Sequence, residues 1–360
     1  MNYRLSTLYA TKAHTSNITE VIDINVADPI SQLLIELEVL GAQDDATAHA
    51  IACLTKVELV DGSDVLFSLS GYEAEAVDIY HNKVIRSNWN PYLNTLWCQR
   101  YIGINFGRHL WDPILALDPK KFKNPQLKLS LDIDAGGNAP VQNKLTVLAA
   151  MFDEKIVSPI GFLMHKEIKD YPMGVSTHEY TDMPTDYPYR KLFVRQMTVG
   201  TEPCQHVDNI KLAEDQDKKI IFDHTPVQLL RAIAAVNPQL VEQIMFRCQT
   251  AACYVFTTVA ERATATFAPW LATATTNSIA SFGSAGGRMA AIATGAMNAV
   301  AHVAGWVPHG VYEIPFGDQT DPDDWFDVTA VGSLKLDVKA TAGALTTDSV
   351  QVFLQQLRKY

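Results

Sequence analysis

From residue 20 onward, apolar and polar positions alternate in short runs separated by turn residues. Glu20-Val-Ile-Asp-Ile-Asn-Val26 and Leu33-Leu-Ile-Glu-Leu-Glu-Val-Leu40 send every second side chain to one face, the pattern of strands with one buried and one wetter side. Further strands are predicted over Ala52–Val60, Val65–Leu69, Trp97–Phe106, Leu127–Ile133 and Lys144–Met151. The same reading places strands at Lys191–Val199, Val207–Leu212, Lys219–Phe222, Val311–Phe316, Leu334–Val338 and Val350–Leu354. Helical spacing is rare. Tyr72–His81 is one helix, and a second begins after Phe222, where Thr225 can cap and Pro226 takes the first helical position. Asn237-Pro238 marks a break there and a second start.

The pattern repeats. Ile18-Thr-Glu-Val-Ile-Asp matches Thr177-His-Glu-Tyr-Thr-Asp, and at the same offset of 159 (179 minus 20) Leu33 meets Leu192 and Gly41 meets Gly200. Val57–Phe67 matches Ile210–Phe222, and Ile104-Asn-Phe-Gly matches Ile314-Pro-Phe-Gly, each followed by an Asp-Pro pair. Leu127-Lys-Leu-Ser-Leu matches Leu334-Lys-Leu-Asp-Val, so that Phe106 falls on Phe316 and Leu127 on Leu334. Four collinear matches divide the chain into a polar N-terminal arm or loose first strand (1–17), a first β unit (18–152), a connection (153–176) and a second β unit (177–360).

The copies differ in one stretch. Phe67 to Ile104 spans 37 residues and Phe222 to Ile314 spans 92, so the second copy carries about 55 extra (92 minus 37) within an insertion over roughly 223–310. Residues 263–287 and 289–312 hold no Asp, Glu, Lys or Arg, but Pro269, Asn277 and many hydroxyls argue against a membrane span. Met289–Val303 is predicted to be a helix of small residues packed on the second unit or on a neighbouring subunit, because so uncharged a surface does not stay exposed as one patch.

Composition narrows the function. Of 360 residues, 48% are hydrophobic and 19% charged, enough for two proper cores, and the formal net charge of −11 opposes coating of DNA or RNA. Cys53, Cys98, Cys204, Cys248 and Cys253 are odd in number and read as buried free thiols. The first residues lack the apolar core of a secretory signal, which leaves the sequon Asn17-Ile-Thr19 as accidental.

Candidate chemistry is sparse. Gly283-Ser-Ala-Gly-Gly-Arg lacks the Gly-Lys-Ser/Thr end of a phosphate loop and the flanking glycines of a nucleophile elbow at Ser284. Cys204-Gln-His206 offers two soft ligands without a partner pair nearby. Asp318, Asp321, Asp323 and Asp324 lack the spacing of a calcium loop and read as a solvated turn, as Asp61 and Asp64 read as turn formers. His109 and His165 have no neighbouring triad partners, His302 reads as a satisfied core imidazole, and the six tryptophans read as core. No catalytic, cofactor-binding or metal-ligating residue is assigned, and no cofactor is expected.

Two consecutive β units, each with a helix after a mid-unit strand, a long insertion in the second and a closing strand in Ser349–Tyr360, resemble the double-jelly-roll major capsid proteins of tail-less icosahedral viruses. The chain length suits the bacteriophage members. The resemblance implies an all-β fold of two tandem eight-stranded antiparallel jelly rolls, with a few short helices and a helical or loop insertion that forms a tower or a trimer-locking loop. It also implies a non-enzymatic structural subunit that trimerises into pseudo-hexagonal capsomers and tiles a shell. Its partners would be its own copies, neighbouring capsomers, minor capsid and vertex proteins, and the surface of an internal membrane. There would be no sequence-specific contact with nucleic acid. The protein would be made in the host cytoplasm and reside in the virion. The competing reading is a receptor- or carbohydrate-binding viral spike β-sandwich. A double-barrel metalloenzyme would show closely spaced histidines with a carboxylate, which this sequence does not.

Overall fold

The computed structural model describes residues 2–86, 89–153, 157–248, 252–271, 278–345 and 349–360. The chain begins with β1 (Tyr3–His14), β2 (Ile18–Asp23), β3 (Ile30–Gly41), β4 (Leu54–Asp61) and β5 (Asp64–Leu69). Helix α1 (Gly71–Asn82) follows, then β6 (Trp89–Tyr92), β7 (Trp97–Asn105), β8 (Pro125–Leu131) and β9 (Pro140–Phe152). Two sheets result, in the orders β1-β9-β3-β7 and β2-β8-β4-β5. The alternation sets their faces: Leu33, Ile35, Leu37 and Val39 of β3 and Leu127 and Leu129 of β8 are all fully buried in one core.

The second unit repeats this order. It contains β10 (Gly161–Pro172), β11 (His178–Asp182), β12 (Tyr189–Gln196), β13 (Val207–Glu214), β14 (Lys219–His224) and α2 (Pro226–Val236). The insertion supplies β15 (Leu240–Cys248), β16 (Cys253–Phe256), β17 (Val259–Leu271), β18 (Ile279–Ala285), β19 (Arg288–Ala293) and β20 (Met297–Pro308). The unit closes with β21 (Val311–Pro315), β22 (Leu334–Ala340) and β23 (Ser349–Lys359). Its sheets run β10-β23-β12-β21 and β11-β22-β13-β14, the same connectivity as in the first unit. The rolls are not merely adjacent. β5 pairs in parallel with β10, Phe67 opposite His165 and Ser68 opposite Lys166, and fuses one sheet from each roll into eight strands.

The ladders test the repeat residue by residue. Leu33 faces Ile104 as Leu192 faces Ile314, and Leu59 faces Phe67 as Leu212 faces Phe222, in agreement with the sequence matches. The last match is displaced. Leu59 pairs with Leu127, but its counterpart Leu212 pairs with Leu336, so Leu127 corresponds to Leu336 and not to Leu334. A slip of two residues keeps every side chain on its face, so the Leu-x-Leu pattern alone does not distinguish the two registers.

Two flanking stretches are strands. The stretch 1–17, read as an arm or a loose first strand, contains β1, hydrogen-bonded along β9 from Tyr3–Phe152 to His14–Asn143. The stretch 153–176, read as a connection, contains β10, which pairs with β23 over its whole length (residues 154–156 lie outside the described ones). Both strands are short on strict alternation, and their backbone groups find partners only through residues far along the chain.

The helix expected over Met289–Val303 is instead β19 and β20. Along β20 burial alternates, with Ala299, Ala301 and Val303 fully buried between β15 and β17. Alanine favours helices, but its small side chain also suits a tightly packed sheet face, and tertiary pairing overrides the weak local preference. The insertion is thus two small sheets, β17-β20-β15-β6 and β16-β19-β18, and β6 comes from the first roll. Both helices agree with the sequence, but the second start expected after Asn237-Pro238 is strand β15 and not a helix. Thr225 and Gln228 form a capping box on α2, as Ser70 and Glu73 do on α1. Among the described residues no helix is long and apolar enough to cross a membrane.

Candidate functional site

Helix α1 places three acidic side chains in the interior, and each meets a different partner. Its capping box sets the phase so that Glu75 turns toward β7, where Arg100 is completely buried. Arg100 donates through Nε to Glu75 at 2.9 Å, through Nη1 to Asn90 of β6 at 2.5 Å and through Nη2 to Thr258 of the insertion at 3.2 Å. Glu242 of β15 accepts from Asn90 at 3.0 Å and from the Thr258 hydroxyl at 3.0 Å. On the other side of Glu75, His309 Nε2 lies 2.8 Å from Oε2, and His49 Nε2 lies 3.4 Å from the Thr258 hydroxyl. First roll, insertion and the approach to β21 therefore meet at one sealed polar knot.

Its charges follow from burial. Burial would raise Glu75, but Arg100 and His309 outweigh it and hold that carboxyl below its ordinary range. Burial pushes Glu242 up despite Arg100, and pushes both His49 and His309 down. The imidazoles are therefore neutral beside an ionised Arg100–Glu75 pair. The donor atoms of His49, Glu75 and His309 lie within 4.8 Å of one another, a spacing a cation would accept. These donors are already engaged: His49 Nδ1 accepts from the Ile51 amide at 3.2 Å, His309 faces Glu75, and Arg100 supplies the positive charge. Glu202, Cys204 and Glu261 form a similar group, in which Glu261 Oε1 accepts from the Cys204 amide at 2.8 Å and the Tyr312 hydroxyl at 2.5 Å. Both groups join elements distant in the chain, the first fully buried and the second with Glu202 and Cys204 partly exposed.

Other contacts tie the rolls together. The Tyr80 hydroxyl of α1 donates to the Val311 carbonyl at 2.6 Å, and Arg108 donates to the Thr320 carbonyl at 2.7 Å. Arg247 of the insertion pairs with Asp44 of the first roll at 3.2 Å. On the outer face of β11, β22 and β13 lies a groove of about 390 Å³ lined by Tyr180, Lys211, Lys335 and Asp337. Its charges are paired across the strands, Lys211 with Asp217 at 2.9 Å and His178 with Asp337 at 2.9 Å.

The residues singled out in the sequence are scattered. Cys204 joins Glu202 and Glu261, without His206. His165 is buried against Gln355 at 2.8 Å, His109 is exposed, and His302 is exposed on β20, not in the core. Asp318, Asp321 and Asp324 cap their own turns, Asp324 accepting from the Asp318 amide at 2.6 Å. Trp325 is buried, Trp97, Trp111 and Trp306 are half-buried, and the side chains of Trp89, Trp270 and Ser284 lie outside the described residues. None of the five cysteines forms a disulfide, and Cys248 and Cys253, unremarkable by spacing, adjoin at 2.6 Å. Sequence reading missed the knot because its seven members, from His49 to His309, come from separate stretches of chain. Glu73, Glu75 and Asp78 stand on one predicted helix, but nothing in their spacing points to the partners they meet.

No family model and no curated protein matches the sequence. Solved structures do match its shape. The MCP of STIV aligns with TM-score 0.60 at 10% identity over 99% of this chain and 97% of its own. The PBCV-1 virus capsid structure aligns with TM-score 0.60 at 11% identity, covering 99% and 94%. The major capsid protein P2 from bacteriophage PM2 aligns with TM-score 0.57 at 10% identity, covering 99% and 98%. The match is end to end and does not single out the bacteriophage protein. Together with the two repeated eight-stranded rolls, it establishes that this chain has the double-jelly-roll fold of viral major capsid proteins.

Proposed function

We propose that the protein is a major capsid protein that forms homotrimers of pseudo-hexagonal outline and tiles an icosahedral shell. The observation that carries the reading is the fusion of two complete rolls through β5 and β10, which makes one chain a rigid double block. The end-to-end likeness to capsid subunits supports it. A rigid block suits a tile, whose geometry must survive assembly. The insertion, braced by β6 and by the Arg100 knot, is the tower of this tile. The net charge of −11 keeps the protein off the genome, so contact with the shell contents runs through minor proteins or a membrane surface. The interior placement of the polar groups supports a structural role without catalysis.

Purified protein at micromolar concentration is expected to scatter light as a trimer that resists dilution and moderate salt, and to show hexagonal outlines or shells in negative stain. Obligate interfaces commonly bury more than about 2,000 Å². A monomer mass across that range would overturn the reading.

A further inference from the structure

The junction between the two rolls has a vacant counterpart at each end of the chain. In the first roll β5 is flanked on its outer side by β10. Its repeat equivalent β14 ends the sheet β11-β22-β13-β14, and the equivalent of β10, which is β1, ends the sheet β1-β9-β3-β7. Among the described residues neither edge has a further strand beside it. Burial records the difference: His165 of β10 is fully buried, while Leu5, at the same ladder position in β1, is 62% exposed. On β14, Ile220 is 51% exposed. Long edges with apolar side chains are templates for another chain.

We propose that β14 of one copy pairs in parallel with β1 of the next, repeating between chains the junction that β5 and β10 make within one. This rests on the trimeric reading above and supplies its contact. The register follows from the internal pairing. Phe67 opposite His165 becomes Phe222 opposite Leu5, and Ser68 opposite Lys166 becomes Asp223 opposite Ser6. Charge agrees independently. Inside the chain Asp64 of β5 accepts from Arg358 at 2.8 Å, a contact that helps fasten the junction. The ladders equate Asp64 with Lys219 and Arg358 with Asp153, so the signs are exchanged and complementarity is kept. The Lys219 side chain is 66% exposed, and Asp153 sits beside the end of β9. The contact is head to tail, and such contacts either close into a ring or run on as a filament; three copies close it here.

The test is a double variant, Ser6→Cys with Asp223→Cys, oxidised after light scattering has fixed its mass. The expected result is a covalent ring of three on a non-reducing gel, absent from either single variant and from the parent. Trimers without the cross-link overturn the strand pairing and leave the capsid reading standing, whereas a monomeric parent overturns both. Hydrogen exchange on the unmodified trimer serves if the variant fails to fold. Amides of residues 3–8 and 219–224 are expected to be protected at least ten-fold more than in protein dissociated to monomers by urea below its unfolding transition. Equal exchange in the two states overturns the pairing.

Discussion

Single residues hold this molecule together where ions are buried. Glu73 closes the capping box of α1 by accepting from the Ser70 amide at 2.7 Å, and burial pushes its carboxyl up to about 7. A carboxyl raised in the folded state adds stability below the unfolded value near 4.5 and loses it as the pH climbs through 7. Glu73→Gln keeps an acceptor for Ser70 and removes the charge. Its unfolding free energy from urea titration is expected to exceed the parent's by about 3 kcal/mol at most at pH 8 and by less than about 1 kcal/mol at pH 5. A midpoint unchanged at pH 8 would show that Glu73 is not buried as an ion. Arg100 tests the opposite case. Arg100→Met leaves Glu75 and Glu242 buried without their cation and is expected to cost about 3–5 kcal/mol, measured by the same titration. A loss below about 1 kcal/mol would mean that the knot is wet.

At the scale of elements, the insertion separates local preference from tertiary pairing. Ala293 is buried on β19, whereas Ala296 is exposed in the turn before β20. Ala293→Glu places an unpaired charge in the small sheet and is expected to cost about 2–5 kcal/mol. Ala296→Glu is expected to change stability by less than about 0.5 kcal/mol. Thermal melts of the two variants decide this, and equal losses would restore a helix with both residues on its packed face. The same element shows why β6 matters: four residues from the first roll pair in parallel with β15 and complete the insertion's sheet. An insertion in one repeat is thereby anchored by the loop at the same place in the other.

The whole molecule behaves as one body because its core is continuous. A single cluster of buried side chains runs from Ile22 of the first roll through Val259 of the insertion to Leu354 of the second. The eight-stranded sheet crosses the boundary between rolls by backbone hydrogen bonds. The isolated chain is therefore expected to unfold in one cooperative transition, with calorimetric and van't Hoff enthalpies that agree. Two separated transitions, one per roll, would contradict the fused sheet.

Much of this was legible in the residues. Alternation placed most strands of both rolls, the run Tyr72–His81 and the cap at Thr225 placed the two helices, and the collinear repeat revealed the duplication. These features are local or periodic, so each short stretch carries its own record. The rest depends on partners distant in the chain. β1 and β10 are strands because β9 and β23 lie beside them, and the alanine-rich stretch after Met289 is sheet because β15 and β17 enclose it. The two-residue offset of β22 is settled by its neighbours, since both registers bury the same face. The Arg100 knot has no sequence signature at all, because ion pairing acts through space and its members are joined only when the chain has folded.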